Sequence, residues 1–194
     1  PGGWSTTPEN QFAESPADWI ATTAGRCDRD HPKVPSINKP VMMDLEHVAP
    51  ENHDPALVWK AFTRGYHYSL YDHPFEQPQH ESPAWQVVRA NIRQTRRISR
   101  VVRDLAAMTP QSELSSTTYC LANPGNEYLV YQPKAGEGFA VELKAGTYHY
   151  EWFDPAQGAV ASRGQVQAAD GRQSFQAPFA GDAVLYLQRT TIVR

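Results

Sequence analysis

Long apolar runs are missing from this chain: no uncharged apolar stretch approaches the roughly 18 residues that a membrane-spanning helix needs. Cysteine occurs only at Cys27 and Cys120. One bridge at most can form, so a disulfide scaffold is excluded and the redox compartment stays open. No sign of charge dominates, since 18 Lys and Arg face 21 Asp and Glu for a net charge of -3. That balance argues against a nucleic-acid surface governing the whole chain. Gly-x-Gly-x-x-Gly, Walker and Gly-x-Ser-x-Gly patterns are all absent. Zinc-type pairing is absent too. Cys27, Asp28, Asp30 and His31 form a compact polar group with no second half, and His47, His53, His67, His73 and His80 are irregularly spaced. The reading is no metal and no cofactor. The first residue is Pro1 and no apolar signal stretch follows, which leads to the expectation of a processed or trimmed chain, or a piece of a longer one.

What is present changes texture near residue 111. Residues 1–40 are rich in Pro, Gly, Ser and Thr and read as surface loop with a helical turn around Pro16–Ala21. Lys39-Pro40-Val41-Met42-Met43-Asp44 reads as a short buried strand. A helix follows, with Leu57, Val58, Ala61 and Phe62 on one face and Gly65 at its end. Tyr66 to Asp72 reads as a second strand, and Pro74, Pro78 and Pro83 as loop. Val87 to Met108 predicts the longest helix, with Ile98, Val101, Val102 and Leu105 as its buried stripe and Pro110 as its stop. Strand–helix alternation points to parallel α/β.

From Ser112 the texture is all-β. Ser115, Ser116, Thr117 and Thr118 read as a linker into the first strand. Strands are expected at Thr117–Leu121, Glu127–Tyr131, Phe139–Leu143, Tyr148–Phe153, Gly164–Ala168, Arg172–Gln176 and Ala183–Leu187. Turns fall at Asn123-Pro124-Gly125, Ala145-Gly146, Asp154-Pro155 and Asp170-Gly171. Seven short strands at close spacing suggest a small antiparallel β-sandwich. Its candidate core is Tyr119, Leu121, Leu129, Tyr131, Val141, Leu143, Tyr150, Trp152, Phe175, Val184 and Tyr186. Two domains are expected, residues 1–111 and 112–194.

Several motifs carry a resemblance. Lys39-Pro40-Val41-Met42-Met43-Asp44-Leu45-Glu46-His47 followed by Val58-Trp59-Lys60-Ala61-Phe62-Thr63-Arg64-Gly65 resembles the closing repeats of bacterial glycoside-hydrolase-like (β/α)8 barrels. Leu114-Ser115-Ser116-Thr117, Tyr119 to Gly125, Glu151-Trp152-Phe153-Asp154-Pro155 and Ala177-Pro178-Phe179 with Gly181 to Leu187 resemble the collagen-binding-type β domain that follows such barrels. The resemblance covers roughly residues 37–188. It implies that the two strands are the seventh and eighth of a barrel, so that the chain is the carboxyl-terminal part of a longer enzyme, secreted or periplasmic. Strands one to six, with the general acid of strand four, would precede it.

The same resemblance implies a retaining glycosidase mechanism, in which a carboxylate nucleophile stands about 5–5.5 Å from a second carboxylic acid. Glu46 matches the nucleophile position after strand seven. Asp44 then positions substrate, His47 hydrogen-bonds substrate or Glu46, and Asp72 after the next strand binds sugar hydroxyls. Tyr71 and Trp85 are the candidate sugar-stacking aromatics, whereas Trp59 within a helix is read as core. Arg89, Arg93, Arg96, Arg97, Arg100 and Arg103 load one helix with charge over several faces, read as a solvated surface. Two classes of function follow. The chain is part of a hydrolase acting on a carbohydrate substrate, or it is a non-catalytic module that attaches to an extracellular polymer such as collagen or glycan. Nucleic acid and membrane are not expected partners.

Overall fold

A computed structural model describes residues 2–5, 16–23, 39–44, 54–69 and 83–190, with residues 2–5, 22, 23, 44, 84 and 85 described by their backbone alone. The chain divides into two compact units, Pro1–Thr95 and Arg96–Arg194. The change of texture at residue 111 thus falls inside the second unit.

The first unit holds four parallel strands in sequential order: β1 (Gly2–Ser5), β2 (Trp19–Thr23), β3 (Val41–Asp44) and β4 (Tyr66–Ser69). Helix α1 (Ala56–Thr63) connects β3 to β4. The expected helical turn at Pro16–Ala21 is instead the start of β2, and the parallel sheet has four strands rather than two. The error has a physical cause. Parallel strands are covered on both faces and carry no alternation, and Trp19-Ile20-Ala21 is too short to separate from a helical turn by period alone. Its β-branched Ile20, fully buried, decides for the strand.

Val41 and Met43 of β3, Leu57 and Ala61 of α1 and Tyr66 of β4 form one buried cluster. Asp54 starts α1: its Oδ1 accepts the Ala56 N–H at 2.9 Å, and its Oδ2 pairs with Lys60 Nζ at 2.9 Å. Gly65, at φ +82°, ends it in the left-handed region that glycine alone enters freely. Phe62, expected in the buried face, is only half-buried.

Helix α2 runs Pro83–Val101, starting and ending earlier than the expected Val87–Met108. Pro110 does not stop it, but lies in the two-residue strand β5 (Thr109–Pro110) after a 3-10 turn at Leu105–Ala107. Its buried residues are Val88, Asn91, Thr95 and Ile98, continued by Val102. Val101 is 47% exposed and Leu105 half-buried, so the expected stripe was misdrawn. At about 100° per residue the five buried residues share a sector of about 80°, and Val101 lies about 60° outside its Ile98 edge. The stripe runs through polar Asn91 and Thr95, which an apolar pattern passes over.

In the second unit, β6 (Cys120–Asn123), β7 (Glu127–Gln132), β9 (Gly146–Asp154), β10 (Ala159–Ala168) and β12 (Ala183–Arg189) join β5 in a six-stranded antiparallel sheet, ordered β10-β9-β12-β7-β6-β5. A second antiparallel pair is β8 (Phe139–Leu143) with β11 (Gly171–Phe175). One hydrophobic cluster joins residues of both sheets: Cys120, Ala122, Tyr128, Val130, Tyr148, Trp152, Ala183, Leu185 and Leu187 from the larger, Phe139, Val141 and Leu143 from the smaller. Phe139 sits edge-on to Trp152, with ring centroids 5.8 Å apart.

The expected core drew about equally on this cluster and on the other face of the larger sheet. Leu121, Leu129, Tyr131, Val184 and Tyr186 are indeed buried, as are Tyr119, Val141, Leu143 and Trp152, while Tyr150 and Phe175 are half-buried against the cluster. The larger sheet is buried on both faces at β6, β7 and most of β12, and every residue of β7 is buried. The turn after β6 behaves as written in the chain. Pro124 and Gly125 take its two central places, Gly125 at φ +87°, and the Asn126 N–H donates to the Asn123 carbonyl at 2.9 Å.

Candidate functional site

Two places are candidate sites, one in each unit. The first is the carboxyl end of the parallel sheet, where βα connections gather functional groups. Pairing sets Asp44 level with Thr23 on one side and Ser69 on the other. Asp44 is therefore the last residue of an inner strand, placed there because Val41 and Met43 are drawn into the cluster with α1. Glu46, His47, Tyr71 and Asp72 follow the ends of β3 and β4 and lie outside the described residues. Trp85 stands in the first turn of α2, not in a loop, because the helix starts at Pro83, a residue suited to a first turn.

The frame behind this edge is held by polar contacts of α1. Trp59 is fully buried, as its reading as core requires, and its Nε1 donates to Asn91 Oδ1 at 3.0 Å. Asn91 Nδ2 in turn donates to the Pro55 carbonyl at 3.2 Å. Tyr68 packs against the same cluster as Tyr66. Burial, helped by the charge of Asp54, pushes its phenol well above the ordinary range, so it stays protonated and serves as a donor rather than a base. His67 is exposed.

The second place is an open groove of about 510 Å³ in the second unit, lined by Arg103, Asp104, Asn123, Asn126, Glu127, Gln188, Arg189 and Thr190. Its acids are engaged. Glu127 is 3% exposed; its Oε1 accepts the Arg103 N–H at 2.9 Å and its Oε2 the Asp104 N–H at 3.1 Å. The Tyr186 hydroxyl donates to Oε1 as well. Burial first, and this bond second, raise the Tyr186 phenol far above its usual value, so the proton stays on the tyrosine. Asp104 Oδ1 accepts the Ala107 N–H at 3.2 Å. The Arg189 guanidinium donates to the Gly125 and Ala145 carbonyls at 3.3 and 2.8 Å. This groove is a structural joint more than a reactive centre. Sequence reading missed Glu127, whose only signal is an acid at the mouth of an otherwise apolar strand.

The arginines of α2 also need correction. Arg89, Arg93, Arg96 and Arg100 fall in one sector of about 60°, opposite the buried stripe, rather than over several faces. Arg97 is set apart, its Nη1 donating to the Gly158 carbonyl at 2.9 Å. Among the described residues, no group of three or more His, Cys, Asp or Glu is disposed to hold a metal ion, and no helix is long and apolar enough to cross a membrane. Cys27, Asp28, Asp30 and His31 lie outside the described residues.

Comparison with known proteins adds three findings. Residues 106–188 match the sequence profile of the family described as "Putative collagen-binding domain of a collagenase". No curated protein matches the chain. Among solved structures, the fold is similar to a glycoside hydrolase family 5 protein from Bacteroides vulgatus, at 14% identity and a TM-score of 0.59, over 96% of this chain and 54% of that one. A second structure, described as a glycoside hydrolase, is similar at 14% identity and a TM-score of 0.50, over 78% of this chain and 43% of that one. The chain spans about half the length of these structures. It is thus a mixed α/β chain similar in fold to glycoside hydrolases, with a segment that matches a collagen-binding domain family.

Proposed function

We propose that this chain is the carboxyl-terminal part of a retaining glycoside hydrolase, with β1–β4 as the last four strands of a (β/α)8 barrel and the second unit as a separate antiparallel sandwich. The observation that carries the reading is the sequential order of four parallel strands, with α1 between β3 and β4, followed by a separate antiparallel unit. If β3 and β4 are barrel strands seven and eight, β1 and β2 take places five and six. The general acid of strand four still precedes this chain.

Glu46 lies two residues past Asp44, where barrel enzymes keep their chemistry. Its carboxylate attacks the anomeric carbon as the preceding half of the protein protonates the departing oxygen. Water then hydrolyses the glycosyl ester, and the configuration is retained. Asp44, His47 and Asp72 hydrogen-bond sugar hydroxyls, and Tyr71 and Trp85 offer aromatic faces. The start of α2 at Pro83 supports the role of Trp85, since a helix that follows a parallel strand begins on the side of that strand's carboxyl end. Without the other barrel strands, the 194 residues alone should not turn over substrate.

The test is hydrolysis of a panel of oligosaccharides by the full-length protein and its Glu46→Gln variant. Turnover should fall by about a thousandfold or more with substrate binding retained. Near wild-type turnover removes Glu46 from the mechanism. A second reading, a non-catalytic module that attaches to collagen or glycan, is favoured by the family match over residues 106–188. Retention on collagen or glycan without hydrolysis of any glycoside would select it.

A further inference from the structure

We infer that the exposed face of α2 is a docking surface for a polyuronate, a polysaccharide bearing a carboxylate on successive sugars. Helix α2 carries five of the chain's 18 Lys and Arg and none of its 21 Asp and Glu. All five are arginines. Along the helix, exposed Arg93, Arg96 and Arg100 line one face for about 10 Å, at a rise of about 1.5 Å per residue, with half-buried Arg89 one turn before them. Arg93, Arg96 and Arg100 are exposed and make no ion pair with a described residue.

An ordinary solvated helix intersperses both signs and gains from pairs three or four residues apart. Here Arg93 and Arg96, and Arg96 and Arg100, stand at those spacings with like charge, each pair opposing the helix. Such an arrangement is relieved by an anion laid along it. Guanidinium forks match carboxylates in two parallel hydrogen bonds, which lysines do not. The length of the row suits a linear polymer with repeated anions better than one small ion.

The choice of a glycan rests on the proposed hydrolase reading, and one further feature favours it over nucleic acid. The rest of the chain is net acidic, which repels a polyphosphate backbone beyond the helix itself. The partner is therefore a flexible polymer that touches one face and not a duplex that surrounds itself with protein.

The test is retention of the full-length protein on immobilised polygalacturonate, in low and high salt, beside a neutral glucan, a sulfated glycan and DNA. Wild type should bind polygalacturonate, weakening at least tenfold between 50 and 500 mM NaCl. An Arg93→Gln, Arg96→Gln, Arg100→Gln variant with an unchanged circular dichroism spectrum should bind at least tenfold more weakly in low salt. The corresponding triple Lys variant should keep the salt dependence but bind more weakly than wild type, between it and the Gln variant, because the paired hydrogen bonds are lost. Equal retention of the Gln variant, insensitivity to salt, or retention on DNA or the sulfated glycan alone would overturn the inference. The Glu46→Gln protein should bind polygalacturonate as wild type does. An active hydrolase that fails to bind polygalacturonate refutes the docking surface alone, and an inactive protein that binds it refutes the hydrolase reading alone.

Discussion

Removing the Glu127 carboxylate should be among the most damaging single changes to the second unit. Glu127 is buried and receives the N–H groups of Arg103 and Asp104 together with the Tyr186 hydroxyl. These two N–H groups follow the last turn of α2, so the carboxylate takes the place of the carbonyls that would have continued the helix. Glu127→Ala leaves the Asp104 N–H and the buried Tyr186 hydroxyl without this acceptor, and leaves the Arg103 N–H with the Tyr186 oxygen at 3.3 Å. At about 1–3 kcal/mol for each buried donor left unsatisfied, less where water reaches exposed Asp104, the loss is about 2–4 kcal/mol. Glu127→Gln keeps one acceptor oxygen but turns an amide toward a donor, for a loss of about 2 kcal/mol. In a unit of this size each kcal/mol lowers the melting temperature by about 4–8 °C, so the Ala variant should melt at least about 8 °C lower. Thermal unfolding followed by near-ultraviolet circular dichroism gives the stability, and amide hydrogen exchange at Arg103 and Asp104 gives the local effect. A double-mutant cycle with Tyr186→Phe should be non-additive, because both changes strike the same bond. An Ala variant within about 0.5 kcal/mol of wild type, with unchanged exchange at both amides, would refute the reasoning.

Two further predictions concern the cores. Asn91→Ala removes the acceptor of the Trp59 indole and the donor to Pro55, and should destabilise the first unit by about 1–3 kcal/mol, seen as a lower denaturant midpoint with altered tryptophan fluorescence. Stability should also fall at alkaline pH. Burial pushes Cys120 up from 9.0 to about 12 and Tyr148 up from 10.0 to about 12, so the unfolded chain loses these protons first. Denaturant midpoints should hold steady below pH 9 and decline between pH 9 and 12, with Cys120→Ala removing the earliest part of the decline.

Where apolar residues alternated or turn residues stood in sequence, the chain was legible. Phe139, Val141 and Leu143 read as a half-buried strand and are one, and Asn123-Pro124-Gly125 closes the hairpin it announces. Gly65 ends α1 as read. Legibility failed where burial is two-sided. In β7, Tyr128 and Val130 face one core while Leu129 and Tyr131 face away from it, so period two gives no sign of which set is inside. It failed again where a helix is ended from a distance. Nothing near Val101 marks a stop, because the group that captures the next two N–H groups comes from β7. Polar Asn91 and Thr95 hid the true stripe of α2, and exposed Val101 supplied a false one. At the carboxyl end of the parallel sheet, the strand carrying Asp44 was found, while Glu46, His47, Tyr71 and Asp72 rest on motif resemblance.

The most direct measurement of the central claim is peptide mapping of the full-length protein after exposure to an activated glycoside whose glycosyl-enzyme ester hydrolyses slowly. A retaining mechanism with Glu46 as nucleophile predicts one added glycosyl unit, on the peptide that contains Glu46, and none in the Glu46→Gln variant. A label on another carboxylate, or glycoside hydrolysis with inversion and no covalent adduct, would contradict it.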